Sequence, residues 1–171
     1  KLDDVVGRLA NTCHSNSEDK RIWITIDLGV HIIPTHYTLR YSKGFNKTAP
    51  RNWCFLLSRT GGSSSSEWDL AYAHINDDKL REYGSSATWQ ISESNLIKNE
   101  LDVDGPGWRF VRIQQTGRNQ SGANYTLSMS GFEIYGRVKS VVLDQELKVV
   151  NISSNCARIN VDAITDNSCI S

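Results

Sequence analysis

The sequence predicts an all-β chain folded as a β-sandwich or jelly roll, on three observations. Apolar residues recur with a period of two rather than 3.6, the runs are short, and Gly, Ser and Asn gather between them. At 171 residues, the chain suffices for one domain with a buried core.

The elements follow in order. "IWITIDLG" puts Ile22, Ile24, Ile26 and Leu28 on one face of a first strand, with Trp23, Thr25 and Asp27 on the other. A short loop at 29–31 leads to "IIPTHYTLRYS", where Ile33, Tyr37, Leu39 and Tyr41 are in phase and Pro34 is confined to the start or an edge. "NWCFLLSR", "EWDLAYAH", "ATWQI", "GWRFVRIQQ" and "NYTLSMSGFEIYGRV" supply five more strands. Trp53, Trp89 and Trp108 lie in these runs as core residues, whereas Trp23 opposes the isoleucines and is ambiguous. Cys54, inside "WCFLLS", is expected to be a core thiol. "TGGSSSSEW" is expected to be a flexible spacer loop, and residues 92–100 a short helical turn. In the last strand, Phe132 and Ile134 share a face that should be buried. From Lys139 the pattern loosens into what could be an extra strand pair, an amphipathic segment or linker, which divides the chain into a domain at 1–138 and an extension or linker at 139–171.

Composition excludes several functions. Lys plus Arg and Asp plus Glu each number 19, so no global charge draws the chain to nucleic acid or anionic membrane. No apolar run approaches the roughly 20 residues of a membrane span. The chain starts at Lys1 with no signal peptide, which suggests a fragment or a processed product. Cys13, Cys54, Cys156 and Cys169 show no CxxC pairing, so no metal is expected. Their sparseness favours a reducing, cytoplasmic setting. Sequons at Asn46, Asn119, Asn124 and Asn151, or a Cys156–Cys169 bridge, would favour a secreted or lumenal one.

No catalytic constellation assembles. His14, His31, His36 and His74 lack the spacing of a helical metal site, and there is no nucleophile elbow, P-loop or dinucleotide fingerprint. "NDD" at 76–78 fits a turn cap better than a calcium site. Neither catalytic residues nor a cofactor is expected.

Strand parity points to a binding end. If consecutive strands run antiparallel, loops 14–20, 43–50, 75–85 and 116–123 share one end, and loops 29–31, 59–67 and 92–107 the other. The first end gathers Lys43, Asn46, Lys47, Asn76, Lys79, Arg81, Arg118 and Asn119 as candidate ligand-binding residues. In "TGRNQSGA", Gly117 and Gly122 permit positive φ, and Arg118 offers a planar fork of donors.

The runs "IIPTHYTLRYSKG", "RNWCFLLS", "EWDLAYAHINDDKL" and "GWRFVRIQQTGRNQSGANYTLSMSGFEIYG" together resemble the galactose-binding-like jelly roll. The match is to the Sad1/UNC-like domain of large ankyrin-repeat HECT ubiquitin ligases and covers roughly residues 4–138. The resemblance implies a non-catalytic module that docks a substrate or partner, with the catalytic cysteine in a separate HECT domain. Its ligand would be a protein or peptide. The alternative is an extracellular or lumenal discoidin-like domain that binds a small glycan or lipid, although no sugar-binding signature carries over residue by residue.

Overall fold

The computed structural model describes residues 13–14, 22–41, 48–96, 105–141 and 151–152. In chain order the strands are β1 (Cys13–His14), β2 (Trp23–Arg40), β3 (Trp53–Ser58), β4 (Asp69–His74), β5 (Ser86–Gln90), β6 (Trp108–Gln115), β7 (Ser128–Met129), β8 (Gly131–Val141) and β9 (Asn151–Ile152). One short helix, α1 (Glu93–Leu96), follows β5 where the sequence predicted a helical turn.

All pairings are antiparallel, and β2 organises them. Along one edge β2 pairs with β6 and then β5; along the other it pairs with β9 and then β8. The expected loop at 29–31 is instead a corner within this single strand. Asp27 pairs with Phe110, the register then shifts, and Ile32 pairs with Trp108. Gly29 takes φ +66° at the corner, a conformation that costs other residues strain. Asp27 fixes the bend: its Oδ1 accepts from the Gly29 N–H at 3.0 Å, and Arg109 donates to both carboxylate oxygens at 2.7 Å.

The corner lets one strand serve two layers. The first half of β2 joins β6, β3 and β4, and the second half joins β5 and β8. Ile24, Ile26, Phe55, Leu57, Val111 and Ile113 from the first layer meet Tyr37, Leu39, Trp89 and Phe132 from the second. Tyr37 stacks on Phe55 with ring centres 3.9 Å apart, and Phe132 lies 6.3 Å from the same ring. Trp53, Trp89 and Trp108 are buried as expected.

Two other local expectations change. Cys54 is only half-buried, because its neighbours Trp53 and Phe55 take the inward positions of β3. The Gly/Ser stretch is an ordered turn: Ser64 caps a 3-10 helix at Ser65–Glu67, and Glu67 returns a bond to the Ser64 N–H. In the stretch after Lys139, strand β8 runs on to Val141 and β9 pairs with Ile24 and Thr25, which are strand pairings of the kind that the sequence left open there.

Candidate functional site

Loops 48–52, 75–85 and 116–123 converge at one end of the sandwich. Register explains why: Trp53 opens β3 opposite His74, the last residue of β4, and Gln115, the last residue of β6. Both ends of β2 arrive there too, since Gln115 donates to the Ile22 carbonyl and Tyr41 to that of Ser85.

Two amide side chains lock these loops together. Asn52 Oδ1 accepts from the Asn76 N–H at 2.8 Å, while its Nδ2 donates to the Arg118 carbonyl at 2.8 Å. Gln120 Nε2 donates to the carbonyls of Asp77 at 2.6 Å and Pro50 at 3.2 Å. Gly117 is required for close approach rather than for positive φ, because a Cβ there would lie 2.8 Å from Asn52 Cβ. Gly122 does take positive φ, at +71°.

Beneath the 75–85 loop lies a buried polar chain. Trp89 Nε1 and His74 Nδ1 each approach Asp77 Oδ2 at 2.8 Å, and the Lys79 N–H donates to Oδ1 at 2.9 Å. Burial pulls His74 down to about 4, against the opposing pull of Asp77, so the imidazole is neutral near pH 7. With Nδ1 donating to the carboxylate, Nε2 is the acceptor and the Tyr37 hydroxyl donates to it. Burial pushes Asp77 up, but its hydrogen bonds from Lys79, His74 and Trp89 outweigh that and hold it below the ordinary carboxylate value. Tyr37 is raised well above its ordinary value by burial. This chain anchors the loop from below.

The predicted residues divide accordingly. Asn76 is exposed on the turn with φ +53°. Arg81 is exposed and 4.0 Å from Glu82, too far for a strong pair. Arg118 is exposed, with one guanidinium nitrogen donating to the Gly122 carbonyl at 2.9 Å. Asn119 is fully buried, and its amide bonds Asn124, Thr126 and Ser121 within its own loop, so it shapes the loop. Lys43, Asn46 and Lys47 lie outside the described residues. Asn52 and Gln120, which do the locking, and two apolar side chains at this end are not among the residues predicted from the sequence. Ile75 is 81% exposed on the pinned turn, and Tyr83 is 46% exposed beside Tyr41. An isoleucine that exposed on an anchored turn was the available signal.

Residues 3–138 match the family model for the Sad1/UNC-like C-terminal domain. The chain belongs to that family. Members similar to it include the E3 ubiquitin-protein ligase Ufd4 of Drosophila melanogaster, 44% identical, and the E3 ubiquitin-protein ligase hecd-1 of Caenorhabditis elegans, 39% identical. Each alignment covers 84% of this chain and 5% of the relative, so the chain spans a small part of their length. Among solved structures, the family fold here is similar to a chitosan-binding module from a Paenibacillus sp. IK-5 chitosanase/glucanase. That pair has a TM-score of 0.54 and 18% identity over 76% of this chain and 80% of the module. It is also similar to CBM62 from Clostridium thermocellum Xyl5A, with a TM-score of 0.53 and 12% identity over 82% and 86%. At these identities the likeness concerns the fold, which is the galactose-binding-like jelly roll that the sequence predicted.

Proposed function

We propose that this domain is a non-catalytic docking module of a HECT-type E3 ubiquitin ligase and holds a protein or peptide partner at its loop end. The observation that carries the reading is the locking of three loops by Asn52 and Gln120, with Ile75, Arg81 and Arg118 left exposed. Pre-anchored loops lose little freedom on binding, which suits recognition. Kinship with E3 ubiquitin-protein ligases supports the parent's class. Burial raises the Cys54 thiol, the opposite of what a ubiquitin-accepting cysteine needs, and this supports a docking role. A free Cys54 fits a reducing, cytoplasmic setting.

The test places a photo-crosslinking residue at position 75 of the full-length ligase, identifies the captured protein, and measures its affinity by calorimetry. Arg118→Ala should weaken binding by roughly tenfold, as loss of a charged interface contact does, with the melting temperature nearly unchanged. Substitution of Ser63, in the turn at the other end, should change neither. Equal affinity of the Arg118 variant and the parent protein would remove the loop end from partner recognition.

A further inference from the structure

Arg112 lies on the outer face of the first layer, a surface distinct from the loop end. Its register partners are Thr25 on β2 and Leu56 on β3, and Leu56 is paired in turn with Leu70 on β4. The guanidinium is clamped between two indoles, 4.2 Å from the ring centre of Trp23 and 3.8 Å from that of Trp68. Trp23 opens β2, whereas Trp68 is delivered by the capped Gly/Ser turn. There the Trp68 indole N–H donates to the Gly62 carbonyl at 2.9 Å. Two elements remote in sequence thus converge on one cation.

Among the described residues, one of the guanidinium's nitrogens has a hydrogen-bond partner. Nε donates to Thr25 Oγ1 at 3.1 Å, and among the described residues no acceptor meets the two terminal nitrogens. Burial lowers the Arg112 pKa, and among the described residues no carboxylate offsets the loss of solvation. A half-buried arginine in a folded domain ordinarily has an acid for a partner. Arg109, on the same strand, has Asp27. At Arg112 the indole faces offset part of the charge through their quadrupoles and fix the plane of the group, while the hydrogen-bonding edge remains available.

We propose that Arg112 is a carboxylate-binding fork that receives an acidic side chain of a partner protein on the outer sheet face between Trp23 and Trp68. The planar guanidinium edge matches a carboxylate through two parallel hydrogen bonds. The neighbouring ground is apolar, with Leu56 half-buried and Leu70 49% exposed, and it suits the apolar residues on either side of an acid in a protein segment. A free inorganic anion has nothing to set against that ground. The site is independent of the loop-end reading and can be occupied with or without it.

The test titrates the nitrogen-15-labelled chain with three probes followed by NMR. They are an acetylated and amidated Leu-Glu-Leu tripeptide, its Leu-Gln-Leu twin, and inorganic phosphate. The glutamate peptide should shift the Arg112 Nε–H signal and the Trp23 and Trp68 indole N–H signals saturably. The glutamine twin and phosphate should not. Arg112→Lys keeps the charge and much of the stem but loses the fork, and it should weaken the peptide by roughly tenfold. A folded Arg112→Lys variant that binds equally well overturns the proposal. So does an absence of saturable shifts, or the same shifts from the glutamine twin. Phosphate reproducing the shifts overturns the assignment to a protein acid and makes the site a general oxyanion site.

Discussion

Arg109 and Arg112 lie three positions apart on β6 and meet opposite surroundings. Arg109 grips the buried Asp27 carboxylate with two hydrogen bonds of 2.7 Å, and its pKa is raised by that partner. Arg112 has indoles in place of an acid, and its pKa is lowered by burial. The first arrangement consumes the guanidinium edge and serves the backbone, because Asp27 also holds the Gly29 N–H at the corner of β2. The second consumes the guanidinium faces and leaves the edge. Arg109 also lies over a ring, 5.1 Å from the centre of Phe110, so what separates the structural pin from the recognition group is the carboxylate at its edge.

Removing the carboxylate from the first arrangement should have the largest effect. Asp27→Ala removes both bonds from Arg109 to the buried carboxylate and the acceptor of the Gly29 N–H together, and should cost about 3–5 kcal/mol in a denaturant melt. A loss similar to that of an ordinary surface substitution would mean that the corner does not depend on the ion pair.

A buried pair with a neutral member sharpens the contrast. His74 has an ordinary pKa of 6.5 and a folded value of about 4, so the unfolded chain binds the proton more readily. Stability should therefore be complete above pH 6.5 and fall as the pH drops towards 4, by roughly 3 kcal/mol at the lower end. Asp77 is depressed, and its contribution should be lost at still lower pH, beginning near its ordinary 3.8. Thermal melts across this range check the sign, and a flat profile between pH 6.5 and 4 would mean that His74 carries its proton in the fold.

The smallest effect belongs to the second arginine. Arg112→Met gives up two cation–π contacts and one hydrogen bond but also removes an uncompensated, partly buried charge. The net change should stay within about 1 kcal/mol. A loss as large as that of Asp27→Ala would make Arg112 a second pin.

The strands were legible because one-sided burial writes alternation into a sequence. The inward positions on β2 are even-numbered at Ile24 and Ile26 and odd-numbered at Tyr37 and Leu39, so the corner is present as a change of phase. The sequence interpreted that change as a loop, since local pattern does not distinguish a break in the chain from a bend in a strand. The convergence of residues 48–50, 75–85 and 116–123 follows the antiparallel alternation read from the sequence, because a corner at 29–31 reverses direction as a loop would. The locking residues were not legible. Asn52 and Gln120 act through backbone groups up to 70 positions away, and a side-chain amide carries no local mark of its partner. Trp23 stayed ambiguous for the same reason, because its meaning depends on Arg112 and on a turn expected to be a flexible spacer.

The double pairing of β2 also sets a timetable for synthesis. The Thr35 hydroxyl donates to the Tyr135 carbonyl across 100 positions of chain, and the whole β8 edge of β2 waits for that late strand. At about 5–20 residues per second, the wait on the ribosome is roughly 5–20 s. Through that interval one edge of β2 has no native partner, which exposes the nascent chain to mispairing. The second layer is thus completed from a late strand, and a chain stopped before Gly131 would carry most of the core residues without the strand that closes that layer.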